Sequence, residues 1–150
     1  MRISHIVLIE DNPADVLLVK MALKENGLNC EMTIFKSGQD AVKALCPPPG
    51  AETNAFVPDA ILLDLNTPKS DGFEVLGILK QTRRLAKVPV AIITSSQAAS
   101  DKARTYRIGA IRYIQKSAHL EEFLNKVGHA VREMLSVREM PEPKPKRPSE

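Results

Sequence analysis

Five short apolar runs recur along the chain, separated by longer stretches in which apolar residues come at steps of three and four. His5-Ile6-Val7-Leu8-Ile9 is nearly all apolar and rich in β-branched residues. That is the pattern of a strand covered on both faces, not of one alternating between core and water. The same pattern returns at Ala60-Ile61-Leu62-Leu63 and from Val88 to Ile93, and more weakly from Met32 to Phe35 and Ile111 to Ile114. Turn residues punctuate the segments between. Asn12-Pro13 opens the first helix, with proline where its missing N–H is harmless, and Asn26-Gly27 closes it. Ser37-Gly38 precedes a helix over about Gln39 to Leu45, Asp71-Gly72 opens one that runs to about Arg84, and a fourth covers Ala99 to Arg107 before Gly109. In the last, Leu120, Phe123, Leu124, Val127, Val131, Met134 and Leu135 share one face.

Strands alternating with helices imply right-handed crossovers and a parallel sheet covered on both sides, so the expected architecture is a doubly wound α/β fold, (βα)5. Two segments fall outside it. Pro47-Pro48-Pro49-Gly50 opens a loop insertion at 47–58, because successive prolines cannot continue a helix. From residue 137 onward, prolines interleave with Lys144, Lys146 and Arg147, which reads as a disordered or polyproline-like tail over 137–150 beside a domain over 1–136.

A chain of 150 residues that is 43% hydrophobic suits one core. No apolar run is long enough to span a bilayer, and the N-terminus lacks the marks of a secretory signal, so a cytoplasmic location and no membrane partner are expected. The net charge of +3 is mild and its basic residues are scattered among acids, which gives nucleic-acid binding no support. Cys30 and Cys46 lack companions at metal-binding spacing and are expected to be small buried hydrophobes. His5, His119 and His129 lie away from the residues that carry chemistry.

Those residues follow the apolar runs, because ligands of an open parallel sheet sit beyond the carboxyl ends of its strands. Glu10 and Asp11 follow the first strand, Asp64 the third, Thr94 the fourth and Lys116 the fifth. Two carboxylates about 4 Å apart repel by roughly 4 kcal/mol at an effective dielectric near 20, so a cation is needed. Lys116 supplies one charge. Hard oxygen ligands with spare positions suit Mg2+, which keeps several waters and takes a few carboxylates together with phosphate. Such a site supports phosphoryl transfer onto a carboxylate.

These motifs together resemble the receiver domain of two-component response regulators (CheY-like). Glu10-Asp11 resembles the family's acidic pair, Leu62-Leu63-Asp64-Leu65-Asn66 its phosphoacceptor segment, and Pro68 with Asp71-Gly72 the turn after it. Ile92-Ile93-Thr94-Ser95 resembles the switch strand and Tyr113-Ile114-Gln115-Lys116 the final strand with its lysine. The resemblance covers about His5 to Leu135 and implies a flavodoxin-like sheet in the order 2-1-3-4-5. It implies that Asp64 accepts a phosphoryl group and ligates Mg2+ together with Asp11, the Asn66 backbone carbonyl, and Glu10 directly or through water. Lys116 and the Thr94 hydroxyl would contact the phosphoryl oxygens, and Tyr113 would swing inward as the threonine moves. A sensor histidine kinase or phosphotransfer protein is implied as donor, a downstream protein as target, and a homodimer through the face of the fourth helix, fifth strand and fifth helix is allowed. The loop before the third strand and the Lys116-Ser117 pair further resemble the single-domain regulators of bacterial phytochrome kinases.

Two departures stand out. Ser117 replaces the proline that usually follows the lysine, and a cis bond there would cost roughly 2.5 to 4 kcal/mol, so a trans or strained link is expected. Ser95 replaces a more typical alanine beside the phosphate, with consequences for water access. Blander roles also exist: Asp11 as a helix cap, Lys116 as a solvated lysine, Tyr113 as core packing. Two rival functions are a receiver-like interaction module independent of phosphorylation, and a flavodoxin-like nucleotide binder or phosphohydrolase. The latter lacks a Gly-rich phosphate loop after the first strand and any added general acid near Asp64.

Overall fold

The computed structural model describes residues 3–48, 50 and 56–139. Five strands, β1 (Ser4–Ile9), β2 (Cys30–Phe35), β3 (Ala60–Asp64), β4 (Val90–Thr94) and β5 (Arg112–Gln115), form one parallel sheet in the order β2-β1-β3-β4-β5. Five helices connect or follow them: α1 (Pro13–Glu25), α2 (Gly38–Leu45), α3 (Gly72–Gln81), α4 (Ala99–Ile108) and α5 (Leu120–Glu139). The (βα)5 fold and the strand order expected from the sequence are both present.

Near-continuous apolar strands are explained by two separate cores. Ile6 and Leu8 of β1, Ala60 and Leu62 of β3, and Ala91 and Ile93 of β4 pack with Val19 of α1 and Phe123, Val127 and Val131 of α5. Their neighbours Val7, Ile9, Ile61, Leu63, Val90 and Ile92 point the other way, onto Ala41 of α2 and Leu76 and Leu79 of α3. Successive strand residues face opposite sides. This alternation persists past the strand ends: Glu10 continues the series of Ile6 and Leu8, and Asp64 that of Ala60 and Leu62. Lys116 continues that of Ile114, which lies in the core under α1 and α5. Thr94, by contrast, continues the series of Val90 and Ile92 toward α3.

Several boundaries differ from the sequence reading. Helix α3 stops at Gln81 instead of about Arg84, and Arg83–Leu85 forms a separate 3-10 turn. Thr82 adopts extended geometry there, and its hydroxyl donates to the Ile78 carbonyl oxygen at 2.7 Å. Strand β4 starts at Val90, after Pro89, and β2 begins earlier, at Cys30. Helix α5 continues to Glu139, past the expected boundary at 136, and residues 140–150 of the expected tail lie outside the described residues, as do 49 and 51–55 of the expected insertion. Both cysteines are half-buried, not fully buried as expected: Cys30 lies on an edge strand, and the Cys46 sulfur lies 3.3 Å from the Thr82 hydroxyl. The Lys116–Ser117 bond is trans. No helix among the described residues is long and apolar enough to cross a membrane.

The loop from β3 into α3 is held against the strand it leaves. A Cβ on Gly72 would stand 2.5 Å from both the Cα and the carbonyl oxygen of Leu65, the residue after Asp64. Gly77, five residues on in the same helix, has open space around its Cα hydrogens. Gly72→Ala is therefore expected to destabilise the protein by about 2 kcal/mol or more in urea unfolding, because backbone must move. Gly77→Ala should stabilise it by about 0.5–1 kcal/mol, since only helix propensity changes. Equal effects of the two substitutions would contradict the close approach at Leu65.

Candidate functional site

Strand register brings the chemistry together. Ile9 pairs with Leu63, so Glu10 and Asp64 emerge side by side, and the Lys116 backbone N–H donates to the Thr94 carbonyl oxygen at 2.7 Å, fixing where the lysine leaves β5. The carboxylates of Glu10, Asp11 and Asp64 offer oxygens all within 4.8 Å of one another. Glu10 and Asp64 are buried, and Asp11 is exposed at the rim. The lysine ammonium reaches three acids at once: Glu10 Oε1 at 2.8 Å, Asp15 Oδ2 at 2.8 Å and Asp64 Oδ2 at 3.1 Å.

Local structure assigns the remaining roles. The cap of α1 is Asn12, whose side chain accepts from the Ala14 and Asp15 N–H groups, so Asp11 is released from the capping role that its position suggested. Glu10 Oε2 accepts from the backbone N–H groups of Asp11 (3.1 Å) and Asn12 (3.4 Å), which turns the chain toward the helix. Asn66 contacts two members of the site. Its backbone N–H donates to Asp64 Oδ1 at 3.0 Å, and its side-chain amide donates to Thr94 Oγ1 at 3.2 Å. The same threonine oxygen accepts from the Ser96 N–H at 3.2 Å. The Tyr113 hydroxyl donates to the Ser96 carbonyl oxygen at 3.0 Å, and the Ser96 hydroxyl bonds to Asp101 at 2.7 Å. Ser95 is exposed beside them. His5 bonds to Thr33 and packs with its ring tilted against Phe56, and its strand enters the sheet far from the carboxylate end; His119 and His129 are exposed.

The structure brings Glu10, Asp11, Asp64, Asn66, Thr94 and Lys116 together at the carboxyl end of the sheet and adds Asp15, which the sequence reading does not name. A signal for it existed. Asp15 stands four residues after Asp11, one helical turn, in the first turn of the helix that begins at the site.

Crowded acids disturb one another. Burial, then the hydrogen bond to Asp64 and its charge, push the Glu10 carboxyl up to about 7 from an ordinary 4.5, although Lys116 pulls the other way. Burial alone would lower the Lys116 ammonium. Its hydrogen bonds to Asp15 and Glu10 and the charges of Asp64 and Glu10 overcome that and raise it above the ordinary amine value. Three oxygen donors held within 4.8 Å of one another fit a hard divalent cation, which would relieve the same repulsion.

Residues 6–128 match the family described as response regulator receiver domain. Response regulator Rcp1 of Synechocystis sp. is 37% identical over 122 residues, covering 81% of this chain and 82% of its own. The structure of the phosphorylated cyanobacterial phytochrome response regulator RcpA aligns with a TM-score of 0.79 and 36% identity, over 90% of this chain and 96% of that one. The Mn(2+)-bound form of Rcp1 aligns with a TM-score of 0.76 and 34% identity, over 93% and 99%.

Because the fold binds the Glu10 proton more tightly than the unfolded chain does, that bound proton contributes stability in full below about 4.5 and none above about 7. The cation-free protein should lose stability as pH rises through this window, measured by urea unfolding in chelator. Glu10→Gln should flatten that slope. An unchanged slope in the variant would mean that Glu10 is not the group responsible.

Proposed function

The chain belongs to the response regulator receiver domain family, and we propose that it is a phosphorylation switch in which Asp64 accepts a phosphoryl group from a histidine kinase in a Mg2+-dependent reaction. It is a receiver closely related to single-domain phytochrome response regulators. The observation that carries the proposal is the setting of Asp64: a buried carboxylate in a cluster with Glu10 and Asp11, 3.1 Å from the Lys116 ammonium.

Glu10, Asp11 and Asp64 fit a divalent cation, with the Asn66 backbone carbonyl as a further donor. When bound, the ion supplies positive charge to the phosphoryl oxygens. The rest is the work of the chain's own residues. An Asp64 oxygen forms the P–O bond while the P–N bond of a phosphohistidine breaks and its electron pair returns to the imidazole. Asn66 orients the Asp64 carboxylate through its backbone N–H, and Lys116 offers its ammonium to the transferred group. Thr94 Oγ1 already accepts two N–H groups, which leaves its own proton to donate to a phosphoryl oxygen.

Phosphorylation adds about −1.5 to −2 charge and three acceptors, so Thr94 and Lys116 gain partners only in the modified state. A threonine drawn inward disturbs its bonds to Asn66 and Ser96. Tyr113 holds the Ser96 carbonyl, so it feels that movement and alters the face formed by α4, β5 and α5. This face would meet a downstream protein or a second copy of the chain. Among the described residues no general acid beyond the acidic cluster and Lys116 is placed at Asp64, which fits slow intrinsic dephosphorylation with Ser95 tuning water access, and a switch instead of a dedicated enzyme. The interaction-module alternative is disfavoured because the acceptor, acidic pair, threonine and lysine are all retained. A kinase-fed receiver of this kind works in the cytoplasm, and a phosphotransfer protein could replace the kinase as donor.

A phosphohistidine must approach from outside the crevice. Beside Glu10 and Asp11 lies an open groove of about 590 Å3 lined by Pro13, Val16, Leu17 and Ile34, in which Leu17 is 58% exposed. That apolar shelf supports docking of a donor helix there.

Incubation with acetyl phosphate and Mg2+ should add the mass of one phosphoryl group to the wild-type protein and none to Asp64→Asn, read by intact-mass spectrometry. Labelling of the variant, or labelling of wild type without a divalent cation, would overturn the reading. Leu17→Asp should slow transfer from an autophosphorylated bacterial phytochrome kinase about tenfold or more while leaving acetyl phosphate labelling unchanged. Equal slowing with both donors would remove the shelf from the docking argument.

A further inference from the structure

Among the described residues, Asp15 is the one acid bonded to Lys116 that lies outside the three-carboxylate cluster. An aspartate at the third position of a helix commonly serves the helix itself, by reaching back to the cap N–H or by complementing the helix dipole. Here the Asn12 backbone N–H is already directed to Glu10, and the Asp15 carboxylate instead reaches across to a residue 101 positions away in sequence. The lysine has three N–H donors, and Glu10, Asp15 and Asp64 take one each. Charge compensation at Glu10 and Asp64 by a cation weakens two of those attractions. The third, to Asp15, survives it.

We infer that Asp15 is a positioning residue that restrains Lys116 in the resting arrangement and thereby limits the stability of the phosphorylated state. The inference rests on the phosphoacceptor reading of Asp64. A phosphoryl group on Asp64 competes with Asp15 for the same ammonium, because a lysine with every donor occupied must leave or share one partner to reach a new oxygen. Asp15 also contributes a negative charge on the side from which Lys116 serves the site, and like charge opposes an arriving phosphoryl group. Removing the charge while keeping the shape frees Lys116 for the phosphoryl oxygens.

The test is calorimetric titration with beryllofluoride, a phosphoryl mimic, at saturating Mg2+, using the wild-type chain, Asp15→Asn, Asp15→Glu and Asp64→Asn. Asp15→Asn should bind the mimic about fivefold more tightly, the range of a partly exposed charge pair, and Asp15→Glu should stay near wild type. A separate Mg2+ titration without beryllofluoride should give Asp15→Asn an affinity equal to or weaker than wild type. A purely structural contribution of Asp15 would weaken both ligands together. Unchanged or weaker beryllofluoride binding by Asp15→Asn, with normal binding by wild type, overturns the inference and leaves the phosphoacceptor reading standing. Absence of binding by the wild-type chain itself overturns that reading and this inference with it.

Discussion

A single ammonium group holds the carboxyl end of this sheet together. Parallel strands that finish level with one another deliver whatever follows them to the same place, and in this chain they deliver acids. Lys116 answers Glu10, Asp15 and Asp64 at 2.8, 2.8 and 3.1 Å, yet one positive charge cannot balance four carboxylates when Asp11 is counted. Burial, with the Asp64 hydrogen bond and charge behind it, keeps the Glu10 carboxyl raised. Such an arrangement is stable enough to fold, and it holds electrostatic strain that a bound cation would relieve.

Packing makes that strain possible. The three central strands β1, β3 and β4 are apolar on both faces because each face has its own core, so they stay buried up to their last residues. Alternation then sorts what comes next. Glu10, Asp64 and Lys116 inherit the side that carries α1 and α5, where Asp15 also begins its helix, while Thr94 inherits the side of α3. Asn66 bridges the two groups, bonded to Asp64 through its backbone and to Thr94 through its side chain. The close seat of Gly72 on Leu65 keeps this bridge in register with the strand it follows.

Most of the fold was legible because hydrophobic period is a strong signal: the runs at Ile6, Ile61 and Ile92 have no other reading that buries them. The acids and the lysine were legible because they directly follow those runs. What escaped depended on details that periodicity does not encode. Asp15 stands in the first turn of α1, where acids are common, and its partner is remote in sequence. Thr82 ended α3 early by turning its hydroxyl back onto the helix, although the apolar spacing continued to Leu85. The cysteines looked buried by type, but Cys30 fell on an edge strand, where one side lacks a neighbour.

The order of the strands also sets how far apart two neighbours of this protein can sit. The apolar shelf beside Asp11 draws on Ile34 of β2, one edge of the sheet, and Tyr113 belongs to β5, the other edge. Four strand spacings separate those edges, about 19 Å. A single helix, about 10–12 Å across, seated on the shelf would leave the far edge uncovered, and one set against Tyr113 would leave the shelf clear. Under the proposed function, arrival and departure of partners would not have to be sequential, because two contacts of that width fit on the sheet together.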